Sequence, residues 1–254
     1  MHFTSDTTPD LGSVGVTQHR FTLDGVPGVL WQPEGSALGA RPLVLVGHGG
    51  GQHKLGPGVV ERARRCVTRY GWAAVSIDAP GHGERERTAQ DERFATEIGE
   101  LLAAGRPISA WVARHTAALA ERAVPEWRAV LDALDEAGGG LGPVGYWGLS
   151  LGSVVGIPLA AAEPRIAVAV FGLTGHATQL EAARRVIVPV QFVLQWDDEL
   201  VLREHALAVY GELGSATKTL HANPGGHMAV PDFELDSAER FLLRKLGTTA
   251  RTAD

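Results

Sequence analysis

Two runs of this chain have no polar face. Pro42-Leu43-Val44-Leu45-Val46-Gly47 and Trp72-Ala73-Ala74-Val75-Ser76-Ile77 are apolar at nearly every position. A strand made from such a run must be covered on both sides. Shorter apolar stretches at 144–147, 166–171, 188–194 and 217–220 predict further strands, and 16–23 with 29–32 predict two opening strands around Asp24-Gly25. Helical periodicity fills the gaps, clearest at 57–70 and at 233–246, where Phe233, Phe241, Leu242 and Leu246 are among the apolar positions. Strands alternating with helices predict a mainly parallel twisted sheet with helices on both faces. In open sheets of this kind ligands collect at the carboxyl ends of the strands.

One segment breaks the alternation. Residues 84–124 are helix-like without a buried strand, and Ile108, Trp111, Val112 and Leu119 fall near helical spacing. Pro125 is expected to interrupt, with Trp127, Val130, Leu131 and Leu134 starting a new amphipathic helix. The whole chain, 1–254, is then one domain. Its core covers about 14–83 and 125–246, 84–124 is a small helical cap inserted over the sheet edge, and the ends 1–13 and 247–254 are frayed. Ordinary crossover helices are the alternative for 84–124. Its mixed arginines and carboxylates describe a solvated face rather than an anion site.

Composition removes several classes. A hydrophobic share of 44% and a charged share of 20% suit a soluble globular protein. A net charge of -6 supplies no general basic field, so no nucleic-acid partner is expected. No apolar run approaches the roughly 20 residues of a membrane span. The first ten residues lack a basic stretch followed by an apolar one, so no signal peptide is expected. Cys66 is the only cysteine. It permits no intrachain disulfide, fits a cytoplasmic location, and sits in an amphipathic helix where a packed core thiol is the expected role.

Chemistry concentrates in Gly148-Leu149-Ser150-Leu151-Gly152, between an apolar run and a helical one. Strand, G-x-S-x-G, helix is the setting in which a serine rides a strained turn with its hydroxyl exposed. A serine hydroxyl is a weak nucleophile without an adjacent base, and the base needs a carboxylate to orient it. His227, in Asn223-Pro224-Gly225-Gly226-His227-Met228, combines a late position, a loop after the last strand, and glycines. Of the ten histidines, His176 and His221 are its rivals. The acid comes from Asp197-Asp198-Glu199, which directly follows the strand expected at 188–194. Three adjacent carboxylates cannot all be buried beside one imidazole, because like charges oppose one another's ionisation. Asp78 also ends a strand but precedes the serine, and a turn or capping role is expected. Val46-Gly47-His48-Gly49-Gly50-Gly51-Gln52 offers backbone N–H groups unobstructed by side chains. One of these with the N–H of Leu151 would make a two-donor oxyanion site. His48 is expected to shape that loop.

The segments His48-Gly49-Gly50-Gly51-Gln52-His53-Lys54, Asp78-Ala79-Pro80-Gly81-His82-Gly83, Gly148 to Gly152, Asp198-Glu199-Leu200-Val201 and Gly225-Gly226-His227 resemble those of the α/β-hydrolase superfamily. The likeness runs over roughly 16–246 and looks closest to dienelactone-hydrolase-like serine esterases. It implies an α/β-hydrolase fold and a triad of Ser150, Asp198 and His227. The oxyanion hole it implies is made by Leu151 with Gly50, or with Gly51 or Gln52 in its place. Dienelactone hydrolases proper often carry a cysteine nucleophile. The serine here favours cleavage of a small-molecule ester, with no cofactor or metal. A thioesterase, lactonase or carbon–carbon hydrolase with the same triad is the alternative within the fold, and a non-catalytic ligand-binding module is the alternative outside it. A homodimer is compatible with all of these. Trp111 and Phe94 either pack in the core or line an apolar pocket.

Overall fold

The computed structural model describes residues 2–9, 15–39, 41–106 and 109–247. Among these residues the strands are β1 (His2–Pro9), β2 (Val16–Leu23), β3 (Val26–Pro33), β4 (Leu43–Gly47), β5 (Ala73–Ile77), β6 (Val144–Gly148), β7 (Ile166–Gly172), β8 (Val190–Gln195) and β9 (Lys218–Asn223). They form one sheet in the order β1-β2-β3-β5-β4-β6-β7-β8-β9. The pairings β1/β2, β2/β3 and β3/β5 are antiparallel, and every pairing from β5 to β9 is parallel.

The helices are α1 (Pro57–Tyr70), α2 (Ala89–Ala103), α3 (Ser109–Gly138), α4 (Leu151–Ala162), α5 (Leu180–Arg185), α6 (Arg203–Glu212) and α7 (Phe233–Leu246). Alternation along the strands divides the core in two. Leu43 and Leu45 of β4 pack with α3 and α4 residues such as Leu131, Leu134 and Val155. Val44 and Val46 pack with Val59 and Cys66 of α1 and with Phe241 and Leu242 of α7. Each apolar run of the central strands is thus covered on both faces. Cys66 is buried, and that burial raises its thiol pKa well above the ordinary range.

Two expectations need correction. Pro125 does not end a helix; α3 runs through it for 30 residues. An internal proline costs about 3 kcal/mol through its missing N–H and its ring clash. Leu119, Trp127, Val130, Leu131 and Leu134 are all buried on the sheet. At about 1.5–3 kcal/mol for each large side chain, that burial exceeds the cost. Second, the N-terminal stretch expected to fray carries β1, paired with β2 from His2↔Thr22 to Pro9↔Thr17. The remaining expectations for residues 1, 10–13, 248–254 and Ile108 lie outside the described residues. Among the described residues no helix is long and apolar enough to cross a membrane.

Candidate active site

The chain leaves β4 for β5 on one side and later returns to β6 on the other. Neighbouring strands whose connections run in opposite directions open a crevice at their carboxyl ends. Gly47 pairs with Gly148 across that crevice. The glycine-rich loop after β4 and the turn after β6 therefore stand side by side.

Ser150 sits on that turn at φ 55 and ψ -121, a strained conformation for a residue with a side chain. Its flanking glycines explain how the turn fits. A Cβ on Gly148 would lie 2.8 Å from the Gly152 backbone, and one on Gly152 would lie 3.0 Å from the Gly47 carbonyl oxygen. The turn is pinned from below. Ser150 N–H donates to Gly172 O at 3.0 Å. The buried Ser153 hydroxyl lies 2.7 Å from Gly148 O and 2.8 Å from Gly172 O, and accepts the Gly172 N–H. Leu151 opens α4, so its N–H belongs to the first turn, where no intrahelical acceptor exists.

His227 Nε2 lies 3.0 Å from Ser150 Oγ, and His227 Nδ1 lies 2.8 Å from Asp198 Oδ2. A carboxylate only accepts, so Nδ1 carries the hydrogen and Nε2 is left to accept the serine proton. Asp198 Oδ1 accepts the N–H groups of Leu200 and Val201 at 2.8 and 2.9 Å. The neighbouring carboxylates bind backbone instead. Asp197 Oδ2 accepts Gly225 N–H at 3.1 Å, and Glu199 Oε2 accepts His227 N–H at 2.9 Å. That bond holds the Glu199 carboxyl below its ordinary range. The rival His221 is engaged with Glu234 at 2.9 Å, and the backbone of His176 donates to Gln179.

The loop after β4 is held by buried polar groups. Ala79 N–H donates to His48 Nε2 at 3.0 Å, so His48 Nδ1 donates to Gly49 O at 2.8 Å. Burial lowers the His48 ring to about 4, so it stays neutral. Gln52 N–H is committed to Gly49 O at 3.2 Å, and among the described residues no backbone acceptor engages the N–H groups of Gly50 and Gly51. The next residues are latched to β5. Lys54 Nζ, almost wholly buried, lies 2.7 Å from Asp78 Oδ2 and 2.8 Å from Glu84 Oε1. Asp78 also accepts the N–H groups of Lys54 and Glu84. Asp78 thus performs the turn-holding role expected of it and neutralises a buried cation besides.

Burial pushes the Asp78 carboxyl up. The N–H of Glu84 and the ammonium and N–H of Lys54 outweigh burial, so the group titrates below the ordinary carboxylate range. A depressed folded value stabilises the protein above the unfolded pKa of about 3.9, and that stability is lost as pH falls through the folded value. Asp78→Ala is expected to cost about 3–5 kcal/mol, because it strips the main partner from a buried ammonium. Urea unfolding at neutral pH measures it, and a loss under about 1 kcal/mol would show the latch to be dispensable.

Arg62, Lys54 and Ser153 escape sequence reading. Arg62 is buried and donates to Gly58 O at 2.8 Å and to Trp147 O and Gly47 O at 3.0 Å each. Trp111 and Phe94 fall in neither core. With Gln90, Arg93, Glu97, Arg114 and His115 they line a cavity of about 390 Å³ between α2 and α3. Phe94 stacks on His115 at 3.6 Å, and Arg114 lies over Trp111 at 4.6 Å.

The chain is similar to a cold-adapted esterase from an Arctic intertidal metagenomic library. In its PEG-bound complex that protein is 35% identical, with 97% of this chain and 100% of that chain covered at a TM-score of 0.77. Its native structure aligns over the same shares at 32% identity and a TM-score of 0.72. An acetyl xylan esterase from Paenibacillus sp. R4 shares the fold at 15% identity and a TM-score of 0.68, with 97% of this chain and 89% of that chain covered. No protein-family model matches the chain, and no curated protein matches it.

Proposed function

The chain belongs to the dienelactone-hydrolase-like esterases of the α/β-hydrolase superfamily, and on that premise we propose that it cleaves carboxylic esters of small or medium size through a serine acyl-enzyme. The observation that supports this reading is the relay of bonds from Asp198 through His227 to Ser150, at 2.8 and 3.0 Å.

His227 Nε2 takes the hydroxyl proton as Ser150 Oγ bonds to the ester carbon. The carbonyl oxygen gains the displaced electron pair. Leu151 N–H and an N–H from Gly50 or Gly51 receive that charge. The carbon–oxygen bond to the alcohol then breaks, and His227 returns the proton to the leaving oxygen. Water enters, gives a proton to the same nitrogen and attacks the acyl group. Ser150 leaves as the restored hydroxyl. Asp198 holds Nδ1–H throughout, and Glu199 holds the backbone of His227. In this reading the cap expected at 84–124 is confined to the part before Leu119, since Leu119, Ala120 and Ala123 pack in the sheet core, and the lone buried thiol of Cys66 suits a cytoplasmic enzyme.

A fluorophosphonate probe, with the adduct mapped by mass spectrometry, tests the nucleophile. Ser150 is expected to carry the label. A panel of p-nitrophenyl acetate, p-nitrophenyl hexanoate and an acyl thioester tests the bond cleaved, with the oxygen esters expected to turn over fastest. An unlabelled, inactive protein would favour a binding module, and preference for the thioester would move the assignment to a thioesterase.

A further inference from the structure

We propose that Arg62 is the positioning residue of the oxyanion site, fixing the loop after β4 at a set distance from the turn that carries Ser150. The proposal rests on the serine-esterase reading above, since it concerns the spacing of the two N–H donors that reading uses.

Arg62 lies in the second turn of α1, where the chain has just come down from the β4 loop. Nη1 donates to Trp147 O and Nη2 to Gly47 O, both at 3.0 Å. These acceptors are in the adjoining strands β6 and β4, where Val46 faces Trp147 and Gly47 faces Gly148. Gly47 is the last residue before the loop that carries Gly50 and Gly51. Trp147 is three residues before Ser150. One planar fork therefore ties together the carboxyl ends of the two strands that lead into the glycine-rich loop and the Ser150 turn. Nε is held by Gly58 O at 2.8 Å, which fixes the plane of the fork.

The cation is unusual in its partners. Among the described residues no carboxylate bonds to it; three backbone carbonyls do. A buried guanidinium is retained at a desolvation cost that three neutral carbonyls offset poorly. Two buried carbonyls alone could be satisfied by neutral donors. What a guanidinium adds is a rigid two-pronged geometry, which an ammonium lacks. Its charge is felt in the same loop, where it helps keep the His48 ring neutral. Oxyanion donors act on charge that appears only in the transition state, so misplacing one lowers kcat and leaves substrate binding nearly intact.

Arg62→Lys keeps the charge and removes the fork, because an ammonium on a single stem cannot hold both carbonyls in one plane. The unaltered protein is first labelled with the fluorophosphonate and assayed on p-nitrophenyl acetate; failure at this step refutes the serine-esterase reading itself. With that step passed, kcat of Arg62→Lys is measured per labelled site, which removes any loss of folded fraction. The expected result is a fall of about tenfold or more in kcat with KM within about twofold. A per-site kcat within about twofold of the parent, whatever the fall in Tm, overturns the proposal and makes Arg62 a packing residue. Should the lysine variant not fold, Arg62→Gln is read by the same two criteria. If neither variant folds at low temperature, the arginine is purely structural and the proposal fails.

Discussion

Ser150→Ala is expected to lower kcat on p-nitrophenyl esters about a million-fold and to abolish fluorophosphonate labelling, with folding intact. Neither Cys66 nor Ser153 is placed to substitute. Cys66 is buried, with its thiol pushed far towards the protonated form. Ser153 lies three residues on, but its hydroxyl is engaged with the Gly148 and Gly172 backbone beneath the turn. The fold should tolerate the change. Alanine and serine face the same strain at φ 55, and the hydroxyl's partner is a side chain that retains its bond to Asp198. Thermal unfolding checks the fold, and esterase turnover checks the chemistry. A variant that kept a tenth of its activity would place the reacting group elsewhere.

Asp198→Asn should cost nearly as much, about ten-thousandfold in kcat/KM. The reason is directional. Asp198 Oδ1 already accepts two backbone N–H groups, from Leu200 and Val201. The asparagine oxygen takes that position, which turns its NH2 towards His227 Nδ1. An amide nitrogen there donates, so Nδ1 must accept, and the ring hydrogen moves to Nε2. That nitrogen can then no longer receive the proton of Ser150. Asp197→Asn, one residue away, keeps an oxygen to accept the exposed Gly225 N–H and loses only a charge, so it should stay within about threefold. Parallel kcat/KM measurements on the two variants decide the acid, and the reverse ranking would reassign it to Asp197.

How much of this was legible depends on where each residue's partners lie in the chain. The central strands are apolar on both faces, so their burial and their parallel pairing follow from local pattern. α7 has an apolar stripe and a C-terminal glycine of its own, and it runs over the expected Phe233–Leu246. Ser150, Asp198 and His227 were singled out by motif, resemblance and chain order, and the fold brings their side chains within bonding distance. The residue pattern alone left the three adjacent carboxylates open and only resemblance favoured Asp198; in space each bonds a different atom of the same loop. Nothing in the sequence marked Arg62 and Lys54 as buried. A cation in an amphipathic helix or a glycine-rich loop reads as solvated, and the groups that bury these two lie 85 and 24 residues away. Pro125 misled for the converse reason. Its cost is local, while the packing that overrides it belongs to the sheet.

That same proline divides the long helix mechanically. The Glu121 carbonyl loses its donor at residue 125, and from Trp111 to Ala118 every side chain is at least partly exposed, whereas Leu119 onward is anchored in the core. Amide hydrogens before the proline should therefore exchange with deuterated solvent faster than those after it, and uniform protection along the helix would contradict this. The front turns of α3 can then open without disturbing the rear turns, which stay packed on the sheet beneath the crevice.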